Sequence, residues 1–374
     1  MWKTVEGSTG RLIQLCLAMF SFYVVFGTAT KAFTASSALQ PPMSPVGFLL
    51  WTTVGGSGIC LAVVFLGGWF RRESAQTFSL LGLRLPVEAR YVILAGIFTA
   101  VIIPTTTLLY ILLKSVMVAM VVMRASIIVS SRIIDEIQKR MGILKKTVYW
   151  EENVAVGFAI VAFSAQALGA TKTDFDFLYN TPALIVLIAF VVAYALRIFI
   201  MNYYKNTRPK GTEQNNKWYF SVEQISASVT MLLVGIVLFF VPSHFAAIVD
   251  LHRSVVAPNP NWPWALIIGL VYGMVAFFGV FIFMFKGRTA TFAGLAYSQT
   301  SLAAGTIATL AAYFLLHLPF PTVRDWLSLA LIAVAFTFLG LAERKRVVEL
   351  AQTHELEPVG GGPAAGAGAV APQP

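Results

Sequence analysis

At 374 residues, 57% hydrophobic and only 12% charged, with mean hydropathy +0.76, the chain lies outside the range of soluble globular domains, in which charged residues make up roughly a quarter. That composition excludes an ordinary cytosolic enzyme. A net charge of +10 would point to nucleic acid if the basic residues shared an exposed face, but they fall in short clusters between apolar runs, which is a topology signal.

In chain order, ten apolar stretches are long enough to cross a hydrocarbon core about 30 Å thick. They run near residues 12–33, 46–70, 91–113, 115–134, 153–170, 182–202, 220–241, 263–285, 289–316 and 325–342. The runs 154–161 and 327–338 show no alternation of polar and apolar residues, so helices rather than barrel strands are expected. Residues 1–11 are short and polar and contain no recognisable cleaved signal. Cys16 and Cys60 sit inside apolar runs, where a free thiol behaves as a small hydrophobe; no disulfide framework, metal site or cofactor is expected. Gly55-Gly56-Ser57-Gly58 in the second stretch reads as a close helix contact or a bend. Pro104-Thr-Thr-Thr107 reads as a kink whose hydroxyls cover the freed backbone groups. Trp262 and Trp264 read as interfacial anchors, and the Gly/Ala/Pro tail from about Pro358 cannot build a core and is expected to be disordered.

With the N-terminus inside, the inner segments hold Lys3 and Arg11; Arg71, Arg72, Arg84 and Arg90; Arg132, Lys139, Arg140, Lys145 and Lys146; Lys205, Arg208, Lys210 and Lys217; Lys286 and Arg288; and Arg344, Lys345 and Arg346. Those are 20 of the 27 Lys and Arg; five more fall outside, and Arg124 and Arg197 fall within spans. The bias predicts both termini on the cytoplasmic side, in a bacterial inner (plasma) membrane or, alternatively, a eukaryotic organelle membrane.

Sliding the chain against itself by 173 residues lays five stretches on the other five. An odd number of spans per half forces opposite orientations, as in secondary transporters whose solute sits near the midplane between two halves. The fold class expected is therefore an all-α integral membrane protein with ten transmembrane helices in two inverted five-helix repeats, residues 11–170 and 182–345, followed by a cytoplasmic tail, 346–374.

Arg124 is the tenth of the seventeen residues 115–131, near mid-bilayer, where a cation costs about 2.5–3.5 kcal/mol and normally faces a bundle interior or wet cavity. Helical spacing sets Met120 and Ile127/Ile128 on its face, with Ser126, Ser130 and Ser131 close by. A guanidinium there is suited to a carboxylate or phosphate; the alternative is an Arg tying helices together through carbonyls and Gln299. Arg197, nearer the cytoplasmic end of its span, and Lys31, near the outer end of the first, bind ligand or snorkel. Tyr297-Ser298-Gln299-Thr300-Ser301 is the densest polar patch within a span, and Tyr297 falls on Arg124 under the 173-residue shift. Tyr297, Ser301 and Gly305 share a face that is a solute wall or a small-residue seam. Tyr23, Tyr194 and Gln224 are further candidate liners, with Thr28. The acids lie in loops or at helix ends, Glu223 and Glu151/Glu152 nearest a span, and His244, His252, His317 and His354 have no ligand spacing. A membrane-embedded enzyme thus lacks its parts. Three cations without a matching buried acid favour an anionic or zwitterionic solute.

Ten spans, a five-plus-five repeat, Phe26-Gly-Thr-Ala-Thr-Lys31 and Met120-Val-Val-Met-Arg124-Ala-Ser-Ile-Ile128 followed by Ser131-Arg132 resemble the drug/metabolite transporter superfamily over residues 11–345. Its members include the EamA-type exporters, triose-phosphate translocators and nucleotide-sugar transporters, and the motifs are similar to the nucleotide-sugar branch. The chain departs from the EamA-type Gly-Glu or Glu-Pro pair at the ends of its fourth and ninth helices, where Asp135-Glu136 and His317-Leu-Pro319 stand. The resemblance implies a central cavity lined by eight helices, the fifth and tenth at the edge where a homodimer forms, and sites at Lys31, Arg124 and around Tyr297. The function expected is secondary transport of a small polar, anionic metabolite by alternating access, with a multidrug or amino-acid exporter as one alternative and a membrane-embedded enzyme or non-transporting assembly factor as another.

Overall fold

The computed structural model of the chain describes residues 7–35, 43–71, 77–80, 83–112, 116–167, 180–207, 214–241, 245–317, 320 and 323–352. Eleven helices occur among them: α1 (Thr9–Ala35), α2 (Pro45–Leu66), α3 (Ala89–Leu112), α4 (Val116–Arg140), α5 (Trp150–Ala167), α6 (Thr181–Asn206), α7 (Asn216–Phe240), α8 (Ala246–Val256), α9 (Trp262–Phe283), α10 (Ala290–Leu316) and α11 (Val323–Gln352). Each of the ten apolar stretches coincides with a helix. The eleventh, α8, is a short amphipathic segment that hydropathy alone does not single out. A hairpin of β1 (Thr77–Leu80) and β2 (Leu83–Pro86), with Phe78 opposite Leu85, interrupts the otherwise helical architecture.

Local chemistry sets the helix starts. Ser44 accepts the Gly47 N–H at 3.0 Å ahead of Pro45, Asn180 accepts that of Ala183, Asn215 that of Trp218 and Thr289 that of Phe292. Pro104 lies inside α3, which runs unbroken through it; the Thr105 and Thr106 hydroxyls donate to the carbonyls of Val101 and Ile102 at 2.6 and 2.7 Å, neighbours of the Ala100 carbonyl that the missing N–H would have reached. Helix α10 ends at His317 in the left-handed region, φ 53°.

Among the described residues, eight helices are long and apolar enough to cross a membrane. The 18-residue α5, which opens on Glu151 and Glu152, falls outside that set, as does the part of α4 whose side chains are described, 122–140, which carries Arg124, Arg132, Asp135, Glu136, Lys139 and Arg140. Leu232, Leu233, Val237 and Phe240 on α7 and Ile185, Ile188 and Val192 on α6 point outward, a surface compatible with a lipid bilayer.

The helices pack as α2 on α9, α3 on α7, α1 on α10, α4 on α6, α1 on α9, α3 on α6, α4 on α5, α10 on α11, α4 on α10 and α5 on α11. Exchanging α1, α2, α3, α4 and α5 for α6, α7, α9, α10 and α11 returns the same ten pairs, although the lesser contacts of α5 with α10 and of α6 with α9 have no equals between α11 and α4 or between α1 and α3. The equivalent connections α2–α3 and α7–α9 carry the two extra elements, the hairpin and α8. Gly55 and Gly56 meet Gly269 and Gly273 backbone to backbone, the close contact read from the glycine cluster. Gly96, which the 173-residue shift lays on Gly269, abuts Glu223 and Ser226 of α7 as Gly269 abuts Thr52 of α2. Two hydrophobic clusters fill the bundle, one around Tyr204, Trp218, Phe220 and Phe283, the other around Met19, Ile128, Phe163 and Phe278.

Candidate functional site

Helix α4 carries Arg124 into the protein interior, where the residue is 6% exposed. Its Nη2 donates to the Tyr23 hydroxyl of α1 at 2.7 Å, and its guanidinium carbon lies 5.7 Å from the Tyr23 ring centre and 5.0 Å from that of Tyr297 on α10. A guanidinium held over aromatic faces keeps its charge while being oriented. Gly279 of α9 permits this placement, because a Cβ there would stand 2.9 Å from the Tyr297 ring. The Tyr297 hydroxyl lies within hydrogen-bonding reach of Arg124 and of Tyr194 on α6. Tyr272 of α9, tilted against Phe26 at 4.6 Å, stands near the same tyrosines.

One turn beyond Tyr194, Arg197 lies 5.9 Å from the Tyr194 ring and donates through Nε to Glu223 of α7 at 2.6 Å. Thr99 of α3 donates to the same carboxylate oxygen at 2.9 Å. Tyr23, Arg124, Tyr297, Tyr194, Arg197, Glu223 and Thr99 thus form a continuous polar chain through α1, α4, α10, α6, α7 and α3, three helices from each half. A buried guanidinium and carboxylate are tolerable in an apolar interior only when paired and hydrogen-bonded, as these are.

Three expectations are corrected here. Arg197 does not snorkel to the cytoplasmic end; at 7% exposure it turns inward to Glu223. The cations are not without a buried acid, since Glu223 is fully buried and matches one of them. Nor does Gln299 tie Arg124: among the described residues neither its Nε2 nor its Oε1 has a hydrogen-bond partner, although the residue is fully buried. Ser301 donates to the Ser298 carbonyl at 2.9 Å, and Gln224 is buried on α7 beside Glu223. Thr28 reaches the Ala308 carbonyl at 3.4 Å, an α1–α10 packing contact. Side chains of Lys31 and Met120 lie outside the described residues, as does the tail from Pro358. Glu223 and Thr99 join the site without having been singled out as liners; the signal for Glu223 was its being the lone acid of its apolar stretch.

A second polar network closes the end of the bundle that carries the basic clusters. Asp135, at the C-terminal end of α4, accepts the Ala290 and Thr291 N–H groups at the start of α10 at 2.9 and 2.6 Å, and Asn202 of α6 donates to it at 3.1 Å. Such a carboxylate satisfies orphan donors and complements the helix dipole. Asn202 also donates to Gln138 at 2.8 Å, and Lys205 donates to the carbonyls of Phe283 and Arg288. Arg288 pairs with Glu343, which also accepts from Thr9 of α1. Arg346 pairs with Glu152 at 3.1 Å and Glu349 at 2.6 Å, and Thr289 donates to Glu152 at 2.9 Å. Burial pushes the Glu152 carboxyl up to about 7 against the opposing pull of Arg346.

No family model and no curated protein matches the chain. A solved structure, known only as the crystal structure of a protein, aligns with TM-score 0.52 and 14% identity over 90% of this chain and 99% of its own. At that identity the likeness carries the fold alone.

Proposed function

We propose that the chain is a secondary carrier that moves a small polar, anionic metabolite across a membrane by alternating access. In this reading its ten long helices all span, as two inverted repeats with both termini cytoplasmic, in a bacterial inner membrane. The helix pairing that survives exchange of the two halves, and the Gly96/Gly269 equivalence, support the repeat. The observation that carries the function is Arg124, a buried cation at the middle of its helix, held between Tyr23 of one half and Tyr297 of the other. A carboxylate or phosphate entering between the halves exchanges the phenol contacts for a bidentate ion pair.

Alternating access then follows from the two networks. The polar residues at the basic end hold α4 to α10 and α11 to α1 and α5, so that end is shut in this conformation. Opening requires those contacts to break together while the Arg124 cluster acts as the pivot, a two-state exchange whose bias the solute supplies through its differential contacts.

The test is uptake into proteoliposomes of labelled inorganic phosphate, a dicarboxylate, a sugar phosphate and an amino acid, by the wild type and Arg124→Ala. Saturable uptake of an anion that Arg124→Ala loses, with unchanged melting temperature, supports the carrier; uptake of none of the four, or unaltered uptake by the variant, overturns it.

A further inference from the structure

Glu223 is the one acidic residue of Asn216–Phe240, and none occurs in Thr9–Thr30, Pro45–Leu66, Ala89–Leu109, Thr181–Asn206, Trp262–Phe283 or Ala290–Leu316. It is fully buried, yet its two oxygens are treated differently. Oε1 takes both donors, Arg197 Nε at 2.6 Å and the Thr99 hydroxyl at 2.9 Å, while buried Oε2 has no hydrogen-bond partner among the described residues. A carboxylate with one saturated and one bare oxygen is a site for a proton: Oε2 can accept one without displacing either existing donor. An ionisable group at this depth in a membrane is by default part of an ion pathway.

The surroundings are otherwise poor in competitors. The groups facing Glu223 are Arg197 from α6, Thr99 from α3, Tyr219 from its own helix and Cys60 from α2. From α9, Tyr272 stands within electrostatic reach of Arg197. Helix α8, with Asp250, His252 and Arg253, meets the opposite end of α7, where His252 stacks on Phe239. Arg197 is therefore the charge that answers Glu223, and it sits one turn from Tyr194, whose hydroxyl adjoins Tyr297 and the Arg124 cluster.

We propose that Glu223 is the proton-carrying group of this carrier, and that protonation of Oε2 frees Arg197 to join Arg124 in holding the anionic group of the solute, so that a proton and an anion travel together. In the step, hydronium on the acidic side gives its proton to Oε2, forming an O–H bond and leaving water. The neutral carboxyl no longer balances the guanidinium, and the solute's carboxylate or phosphate takes that place. On the opposite side the anion leaves, water takes the proton, and the Arg197–Glu223 pair re-forms. With one anionic charge from the solute, the neutral carboxyl, the guanidinium and the anion sum to zero when loaded, as the ion pair does when empty, and a neutral site is tolerable in an apolar interior. The proposal rests on the carrier reading.

The experiment separates the two. In proteoliposomes loaded and bathed at different pH, an anion that the wild type carries is expected to accumulate at least tenfold more when the outside is acidic than with no gradient. Glu223→Gln is expected to lose that dependence, its uptake being the same with and without the gradient. Thr99→Val, which removes one donor to the charged form, is expected to move the pH midpoint of uptake upward, and it serves where Glu223→Gln fails to fold. Accumulation indifferent to the gradient, or gradient-driven accumulation surviving in Glu223→Gln, or an unmoved midpoint in Thr99→Val, overturns coupling and leaves the carrier standing. Should the wild type carry none of the four probes, the carrier reading falls, and proton binding is read directly by infrared pH titration of the lipid-embedded protein. A protonated-carboxyl band absent from Glu223→Gln keeps the proton site; its absence from the wild type removes it.

Discussion

The guanidinium carbon of Arg124 stands 5.0 Å from the centre of the Tyr297 ring, and these two residues are 173 positions apart, the shift that lays one half of the chain on the other. Positions on α4 and α10 that this shift superposes thus carry a cation on one helix and its aromatic neighbour on the other.

That relation predicts a graded series. A cation–aromatic contact contributes about 0.5–2 kcal/mol. Tyr297→Phe keeps the ring and loses the hydroxyl near Tyr194; Tyr297→Leu loses both. Initial uptake by proteoliposomes is expected to fall a few-fold in the first and about tenfold or more in the second, and Arg124→Lys, which keeps charge without the planar fork, to fall at least as far as Tyr297→Leu. Equal rates for Tyr297→Phe and Tyr297→Leu would remove the ring from the site.

Hydropathy was sufficient to find every long helix, because residues that cannot face water must be continuous over a span. The hairpin 77–86 and α8 were not legible: the first is too short for alternation to register, and the second is an 11-residue amphipathic segment between stronger signals. That a 173-residue shift lays Tyr297 on Arg124 was legible; that their side chains meet was not. The Arg197–Glu223 pair was not, since a residue near a helix end reads as snorkelling until the neighbouring helix is known to offer a carboxylate inward. Asp135 reads as a surface acid at the end of α4, and only the fold brings the N-terminus of α10, 155 residues away, onto it.

Packing between α2 and α9 and between α3 and α7 depends on missing side chains. A Cβ on Gly269 would stand 2.3 Å from the Thr52 carbonyl oxygen, and one on Gly96 2.6 Å from that of Glu223, both backbone atoms that cannot turn aside. Gly269→Ala and Gly96→Ala are each expected to cost at least about 1–3 kcal/mol, read as a lowered melting temperature in detergent. Gly235, with nothing within 4 Å of its Cβ position, serves as the control, and Gly235→Ala is expected to be neutral or to gain about 0.5–1 kcal/mol. Equal losses at Gly235 and Gly269 would contradict this packing.

Asp135 ties α4 to α10 by accepting two backbone N–H groups at the start of α10. Asp135→Ala leaves those donors and Asn202 without their acceptor, at an expected cost of about 1–3 kcal/mol per unsatisfied group, and Asp135→Asn is expected to lose less. Because the contact joins opposite halves, the same change opens the interface there. In a background lacking Cys16 and Cys60, Ser131→Cys, fully buried against Gly294, is expected to react several-fold faster with a polar thiol reagent when Asp135→Ala is added. Unchanged reactivity would make Asp135 a cap and not a latch.

Glu152 gives the network a pH dependence of definite sign. Its folded carboxyl is raised by burial to about 7 from an ordinary 4.5, against the Arg346 charge and the Thr289 hydroxyl, so between those values the folded state holds a proton that the unfolded chain has released. Stability from this group is therefore full below about 4.5 and declines as pH rises through about 7, by about 3 kcal/mol at 1.36 kcal/mol per unit. Glu152→Gln still accepts from Thr289 and Arg346 but has no proton to lose. Melting curves of the two proteins between pH 4.5 and 7 are expected to diverge, the variant holding its melting temperature while the wild type loses several degrees. If the wild type instead gains on the variant as pH rises, the Arg346 pairing outweighs burial and Glu152 is charged throughout.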